Sequence, residues 1–112
     1  MRICIFLIFI VFCQIAPAAS TQPDIVLVSS SALSGPAAQL GLKLNQGANI
    51  YFDHINKLGG IENQKIKFIS LDDGYEPYKT LQNTQKLLSR GDVFAFFNYV
   101  GTPTTHVVFP II

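Results

Sequence analysis

The sequence has little sulfur and little charge. It contains no tryptophan, one methionine and two cysteines, Cys4 and Cys13, both near the amino terminus. From Gln14 onward the chain has no thiol, so neither a disulfide nor a cysteine-based metal site is expected there. Charged residues make up 13% of the chain and the formal net charge is +1. This composition excludes the strongly basic surface of a nucleic-acid-binding protein.

No apolar run reaches the length of about 20 residues that a transmembrane helix needs. The run Ile3–Phe12 is shorter, follows the basic residue Arg2 and leads into the small residues of Ala16–Ser20. A basic start, an apolar stretch and an A-x-A-like exit are the three parts of a secretory signal peptide. We therefore predict a signal peptide over residues 1–20 and a periplasmic location for residues 21–112.

The two alternatives to a cleaved signal peptide are a membrane anchor and a lipoprotein. A membrane anchor would need a longer run and a charged stop-transfer cluster, and neither is present. A lipoprotein would use Cys13, but Phe12 precedes it where a small residue is required. Cleavage after Ala18 and cleavage after Ser20 both fit.

Strand and helix patterns alternate through the rest of the chain. Ile25–Val28 is a short apolar run of β-forming residues, typical of a strand covered on both faces. A polar loop follows, in which Ser34 or Gly35 caps a helix and Pro36 lies in its first turn. Three- and four-residue spacing then predicts a long amphipathic helix that ends at Gly59-Gly60. Its predicted inward residues are Leu40, Leu44, Ala48, Tyr51, Phe52, Ile55 and Leu58. The polar residues on the other, solvent-facing side are Lys43, Asn45, Asn49, Asp53 and Asn56.

The same alternation continues with two more strand–helix pairs. Lys65–Leu71 predicts an edge strand protected by lysines. Pro77 begins a helix that Gly91 ends, Val93–Phe97 forms a third strand, and Thr102–Thr105 begins a third helix. The inward residues predicted for the second helix are Leu81, Thr84 and Leu88.

The order β-α-β-α-β-α predicts an α/β fold of three layers with a parallel sheet and right-handed crossovers. A buried first strand beside an edge-like second strand gives the spatial order 2-1-3, the beginning of a doubly wound sheet. The third strand would then be an apolar edge, because no fourth strand follows it. We therefore expect a truncated domain.

Ligands of open α/β sheets bind beyond the carboxyl ends of the strands, where the strand order reverses. This rule places a crevice between the loop Ser31–Ser34 and the loop that begins at Tyr99. Both loops lead into helix N-termini, which favour an anion such as a carboxylate. Hydroxyls of Thr102, Thr104 and Thr105 would add hydrogen-bond donors. The alternative is that these threonines only cap the helix.

Other polar groups do not form a site. The pair Asp72-Asp73 is expected to form a turn and a helix start, because a metal cage needs more oxygen ligands. His54 and His106 have no partner at ligand spacing and are interpreted as bystanders. No Ser-His-Asp order, P-loop or G-x-S-x-G motif is present. No catalytic residue, metal or cofactor is predicted.

Several segments resemble one family of exported proteins. They are Ser34–Gly41, Gly47-Ala48, Ile55–Ile61, Lys65, Asp72-Asp73, Pro77 and Gly101–Thr105. In this order they are similar to the periplasmic leucine/isoleucine/valine-binding proteins of ABC importers, from Asp24 to the end. The resemblance implies the first part of lobe 1 of a type I periplasmic binding protein, whose two lobes close on a small solute.

The resemblance also implies a site. Thr102 matches the hydroxyl residue that binds the α-carboxylate of the ligand, with the backbone of Val100 and Gly101 beside it. Leu40 stands where close relatives carry an aromatic ligand contact, so the solute need not be a branched-chain amino acid. Gly41 and Gly47 in the first helix are expected to allow close packing on the sheet.

The implied function is that of a substrate-binding component of an ABC importer. Its partners would be an amino acid or similar small solute and a membrane permease. Family members are several times longer, so we expect a fragment that does not bind alone. The alternatives are the ligand-binding part of a sensory receptor, a small exported enzyme and a non-functional product of a truncated gene.

Overall fold

The alternation of strands and helices is confirmed in a computed structural model, which describes residues 22–112. The predicted signal peptide over residues 1–20 lies outside the described residues. Within the described part, no helix combines the length and the apolar character needed to cross a membrane. The elements are β1 (Ile25–Ser31), α1 (Ala38–Lys57), β2 (Ile66–Asp72), α2 (Pro77–Leu88), β3 (Val93–Phe96) and α3 (Thr102–His106).

The three strands form one parallel sheet in the order β2-β1-β3, as predicted. β1 and β2 pair without interruption from Ile25 opposite Ile66 to Ser31 opposite Asp72. The pairing of β1 with β3 is shorter and contains a register shift. The central strand β1 is therefore held on both sides, and β2 and β3 are the edges of the sheet.

Helices cover the two faces of the sheet and create two apolar layers. On the α2 side, the buried residues Val26, Val28 and Leu87 form the centre of the core. On the α1 side, the rings of Phe52, Phe68 and Phe97 contact one another, with centroids 5.5–5.8 Å apart. Burial of such aromatic rings is a large apolar contribution to the stability of a small domain.

β1 is longer than the sequence predicted. Ser29, Ser30 and Ser31, interpreted as the start of a polar loop, continue the strand and are fully buried. Serine is tolerated there because each hydroxyl has a hydrogen-bond partner in the neighbouring elements. The loop after β1 is correspondingly shorter.

The face of α1 that packs on the sheet was predicted correctly only in part: Phe52 contacts Phe68 and Phe97 as predicted. Leu40, Leu44, Tyr51 and Leu58 are exposed, and the buried residues of the helix are Gly41 and Asn45. The helix begins at Ala38 rather than at Pro36, and the residue at its N-cap is Ala37. In α2, Thr84 is buried as predicted, but Leu87 rather than Leu88 faces the core.

Candidate functional site

Asp72 joins the loops after β1 and β2 at the carboxyl edge of the sheet. Its Oδ1 atom accepts the backbone N–H groups of Leu33 (2.8 Å), Ser34 (3.1 Å) and Gly74 (2.9 Å). The Ser34 hydroxyl is the largest influence that lowers the pKa of Asp72. Burial opposes it, and the three N–H groups act with the hydroxyl, so the pKa lies below its ordinary value. Four donors on one carboxylate favour its charged form.

Asp73 holds the start of α2 against β1. Its side chain is fully buried and accepts the hydroxyls of Ser30 (2.8 Å) and Thr80 (3.0 Å) and the N–H of Tyr75 (2.9 Å). The predicted turn and helix-start role of the acidic pair is thereby confirmed. A buried carboxylate needs such donors because burial without them is strongly unfavourable.

Asn45 connects β1, β2 and the segment after β3 from the α1 side. Its amide nitrogen donates to Ser70 (2.9 Å) and to Ser31 (3.3 Å), and its oxygen accepts the side-chain amide of Asn98 (2.9 Å). The polarity of Asn45 predicts a position on the solvent-facing side of α1, and this prediction is wrong. The signal that could have found it is its spacing of four residues from Gly41, on the same helical face.

Tyr99 and its neighbours anchor the loop after β3. The Tyr99 hydroxyl shares a hydrogen bond of 2.8 Å with the Thr84 hydroxyl on α2. The centroid of the Tyr99 ring lies 6.0 Å from that of the Phe96 ring. Burial is the main cause that raises the pKa of Tyr99, so this phenol remains a neutral hydrogen-bonding group. The loop is thus fixed to α2 before it turns into α3.

Gly101 turns the chain into α3 beneath a tyrosine ring. It has a φ of 100°, and a Cβ at this position would lie 2.5 Å from Cε2 of Tyr75 and 2.6 Å from Oγ1 of Thr104. Tyr75 itself has a φ of 69°. Only glycine satisfies both the conformation and the contact. Sequence reasoning missed Tyr75, whose position in a turn after β2 gave no indication of this contact.

The predicted site residues divide into two groups. Gly101, Thr102 and Thr105 line one hollow of about 400 Å³, together with His106 and Phe109. His106, interpreted as a bystander, therefore lies beside the predicted carboxylate site.

The other predicted site residues do not line that hollow. Val100 and Thr104 are buried, and the Thr104 hydroxyl donates to the carbonyl oxygens of Val100 and Gly101. This hydroxyl stabilises the turn and faces the protein interior. Leu40 lies on α1 with half of its surface exposed (50%).

The fold and this edge define the opening part of a doubly wound α/β lobe whose loops converge where the strand order reverses. A sequence profile described as periplasmic binding protein matches residues 25–112. The chain belongs to the periplasmic binding protein family.

Two relatives within this family are named for the binding of leucine, isoleucine and valine. The Leu/Ile/Val-binding protein homolog 3 of Brucella melitensis is 31% identical over 94 residues, which cover 84% of this chain and 24% of that protein. The crystal structure of a possible leucine/isoleucine/valine-binding protein from Rhodopirellula baltica superimposes with a TM-score of 0.76 at 38% identity, covering 81% of this chain and 24% of that one. The resemblance to leucine/isoleucine/valine-binding proteins is thereby confirmed.

A third relative is named for a different solute, a fatty acid. The fatty acid ABC transporter substrate-binding protein from Thermomonospora curvata superimposes with a TM-score of 0.71 at 28% identity and covers 77% of this chain and 22% of that one. The chain spans about a quarter of the length of the relatives it matches. These relatives are substrate-binding proteins.

Proposed function

We propose that this chain forms the first part of the ligand lobe of a periplasmic substrate-binding protein, which captures a small carboxylate-bearing solute and delivers it to an ABC permease. The observation that carries this proposal is the family match over residues 25–112 together with Thr102 and Gly101 in one hollow at the carboxyl edge. The proposed role is binding and not catalysis.

The proposed contacts follow from the exposure of each residue. Thr102 is exposed at the start of α3 and would donate its hydroxyl to the solute carboxylate, next to the backbone of Gly101. Thr105 would extend the polar wall, since it lines the same hollow. Val100 and Thr104 would act from beneath, by holding the turn.

Leu40 is proposed as an apolar contact at the rim of the site. Its neighbour Gly41 packs so closely on Ala32, at the end of β1, that a Cβ would lie 2.0 Å from the Ala32 carbonyl oxygen. The position of Leu40 next to Gly41 supports a place for it near the carboxyl edge. A leucine without a polar group would accept several apolar solute tails.

A carboxylate is the group that the solutes named for the relatives have in common. Leucine, isoleucine, valine and fatty acids differ in their tails and share a carboxylate. The proposed site supplies hydroxyl and backbone donors for such a group, which are stronger when the acceptor is charged. We therefore propose that the carboxylate is the recognised group. The binding experiment below determines which solute tail the site accepts.

A chimera tests this function. Residues 25–112 would replace the matched segment of the Brucella melitensis relative, and the product would be titrated by calorimetry with a panel of amino acids and fatty acids. We expect at least one solute to bind. We expect Thr102→Ala to weaken its binding by about 10-fold or more, the usual effect of losing a hydrogen bond to a charged group.

The matched control is Ser89→Ala, which removes an exposed hydroxyl at the end of α2. It should leave binding unchanged, and circular dichroism should show that all three chimeras are folded. A folded chimera that binds nothing in the panel, or equal binding by the Thr102 and Ser89 variants, would contradict the proposal. The processed chain alone should give no binding heat, because closure on a solute needs a second lobe.

A further inference from the structure

Two loops meet in one close contact at the carboxyl edge of the sheet. The ring of Tyr75, in the loop after β2, lies against Gly101, in the loop after β3. A Cβ on Gly101 would lie 2.5 Å from Cε2 and 2.9 Å from Cζ of this ring. The ring therefore fills the space that a side chain at residue 101 would need, and it limits how the glycine backbone can move.

Gly101 is also held from α3. The Thr104 hydroxyl and the Thr105 N–H each donate to the Gly101 carbonyl oxygen, at 2.9 Å. These two bonds fix the carbonyl end of the residue, which has a φ of 100° and a ψ of 132°. Glycine has more backbone freedom than any other residue. The tyrosine ring adds a restraint that these hydrogen bonds do not supply, because it packs on the α-carbon.

Tyr75 is itself held in an unfavourable backbone conformation. Its φ is 69°, in the left-handed region that favours glycine and asparagine over bulky residues. The Tyr75 N–H donates to Oδ1 of Asp73 (2.9 Å), which is fully buried. Strained conformations persist where the surrounding contacts over-determine them. Glycine at residue 75 would relieve the strain but would bring no ring, so the contact with Gly101 is what a tyrosine contributes at this position.

We propose that Tyr75 is a positioning residue of the solute site, whose ring holds Gly101 so that the Gly101 backbone and the Thr102 hydroxyl face the solute carboxylate together. The inference rests on the function proposed above. It adds to that function a residue from the loop after β2, which does not line the hollow that contains Gly101 and Thr102. Holding the site in its binding conformation raises affinity, because less conformational freedom is lost when the solute binds.

Calorimetry on the chimera described above tests this inference, with the same panel of amino acids and fatty acids. We expect Tyr75→Gly to weaken binding by about 5- to 30-fold, the effect of having to order the backbone of one more residue on binding. Tyr75→Phe should bind like the parent chimera, because it keeps the ring. If Tyr75→Gly is unfolded by circular dichroism, Tyr75→Asn replaces it, since asparagine also adopts a positive φ.

The matched control is Asn63→Gly, which also places glycine at a positive φ (67°). Asn63 lies in the turn between Ile61 and Gln64, just before β2 and so at the opposite edge of the sheet. This substitution should leave binding unchanged. Urea unfolding of each chimera separates affinity from stability, because a purely structural role for Tyr75 would weaken binding only as far as it unfolds the protein.

Positioning also requires that Tyr75 and Thr102 act together. In a chimera that already carries Thr102→Ala, Tyr75→Gly should weaken binding less than it does in the parent, whereas independent contacts with the solute would give additive losses.

Four outcomes would overturn the inference. Additive losses, or equal weakening by Tyr75→Phe and Tyr75→Gly, would show a direct contact of Tyr75 with the solute. Equal affinity of the parent and the folded Tyr75→Gly chimera, with Thr102→Ala still weakening binding, would overturn this inference and leave the proposed function intact. A folded parent chimera that binds nothing in the panel would overturn both.

Discussion

The carboxyl edge of the sheet and the flank beside β3 are opposite in character. At the carboxyl edge, Asp72, Asp73 and Asn45 each hold several neighbouring elements by hydrogen bonds. Beside β3, Phe94 is 74% exposed next to an apolar hollow. The first region is complete in its contacts, and the second is not covered by any described residue.

The two regions differ in how their side chains are stabilised. Every buried polar side-chain atom within residues 22–112 has a hydrogen-bond partner, and Asp72 ties the loops after β1 and β2 together. Preorganised polar groups of this kind are what recognition of a small solute requires. The apolar flank has surface that would be stabilised by burial. Substitutions should therefore disturb the carboxyl edge through its hydrogen bonds and the flank through its apolar packing.

The largest effect is expected where α1 meets the end of β1. A Cβ on Gly41 would lie 2.0 Å from the carbonyl oxygen of Ala32, whereas a Cβ on Gly47 in the same helix has no atom within 4 Å. We expect Gly41→Ala to lower the free energy of unfolding by about 3 kcal/mol or more, since backbone cannot move aside as a side chain can. Urea unfolding followed by circular dichroism measures it.

Gly47→Ala is the matched control for this prediction. It should raise the free energy of unfolding by about 0.5–1 kcal/mol, because alanine is the better helix former and meets open space. Equal destabilisation by the two substitutions would show that helix packing on Ala32 does not hold the edge together. The sequence predicted close packing for both glycines, which is confirmed for Gly41 and wrong for Gly47.

These glycines illustrate which features of the fold could be predicted from the sequence and which could not. The α/β class, the strand order and the edge position of β2 follow from the alternation of patterns, the apolar run of β1 and the lysines of β2, and they are confirmed. Such features depend on many residues at once, so single exceptions do not change them. The predicted contacts of Thr102 remain a proposal.

The errors on β1 and at Asn45 lie where polar side chains are buried. Ser29–Ser31 read as loop and Asn45 as solvent-facing, because polarity predicts exposure unless a partner is known. Their partners are distant in sequence: Asn98 is 53 residues from Asn45. Burial of these residues depends on three strands meeting, and this meeting is a property of the tertiary structure.

A second substitution tests whether the carboxyl edge depends on its buried carboxylate. Asp73→Ala would leave the Ser30 hydroxyl and the Tyr75 N–H without their acceptor, whereas the Thr80 hydroxyl would keep only the Glu76 carbonyl oxygen. We expect the free energy of unfolding to fall by about 2–3 kcal/mol. Asp73→Asn keeps one acceptor oxygen and should lose less. Urea unfolding at neutral pH distinguishes the two.

The control for Asp73 is Asp53→Ala, on the exposed face of α1. It should change the free energy of unfolding by less than about 0.5 kcal/mol, as surface substitutions usually do. If the Asp73 and Asp53 variants were equally stable, the network around Asp73 would be dispensable. The contrast between the carboxyl edge and the apolar flank would then rest on packing alone.

The smallest effect is expected from the pH dependence of Asp72. Hydrogen bonds from the Ser34 hydroxyl and from backbone N–H groups lower its pKa in the folded chain below the ordinary value of 3.8. The folded state therefore binds the proton less readily than the unfolded state, and the charged carboxylate contributes stability that is fully present above pH of about 4. That contribution is lost as the pH falls through the lowered pKa. Because Asp72 is exposed, solvent screening limits it to about 0.5 kcal/mol.

Asp72→Asn measures this contribution directly. The substitution removes the titrating group, so the difference in free energy of unfolding between the parent chain and the variant should shrink as the pH is lowered from about 6 to about 3. Asp53→Asn serves as the control, since its exposed side chain lies away from the loops that Asp72 joins. Equal free energies of unfolding for the parent chain and the variant at every pH would mean that the amide holds Leu33, Ser34 and Gly74 as well as the carboxylate does. In that case the carboxyl edge would owe its rigidity to the geometry of the acceptor, and charge would not be needed to keep the loops of β1 and β2 together.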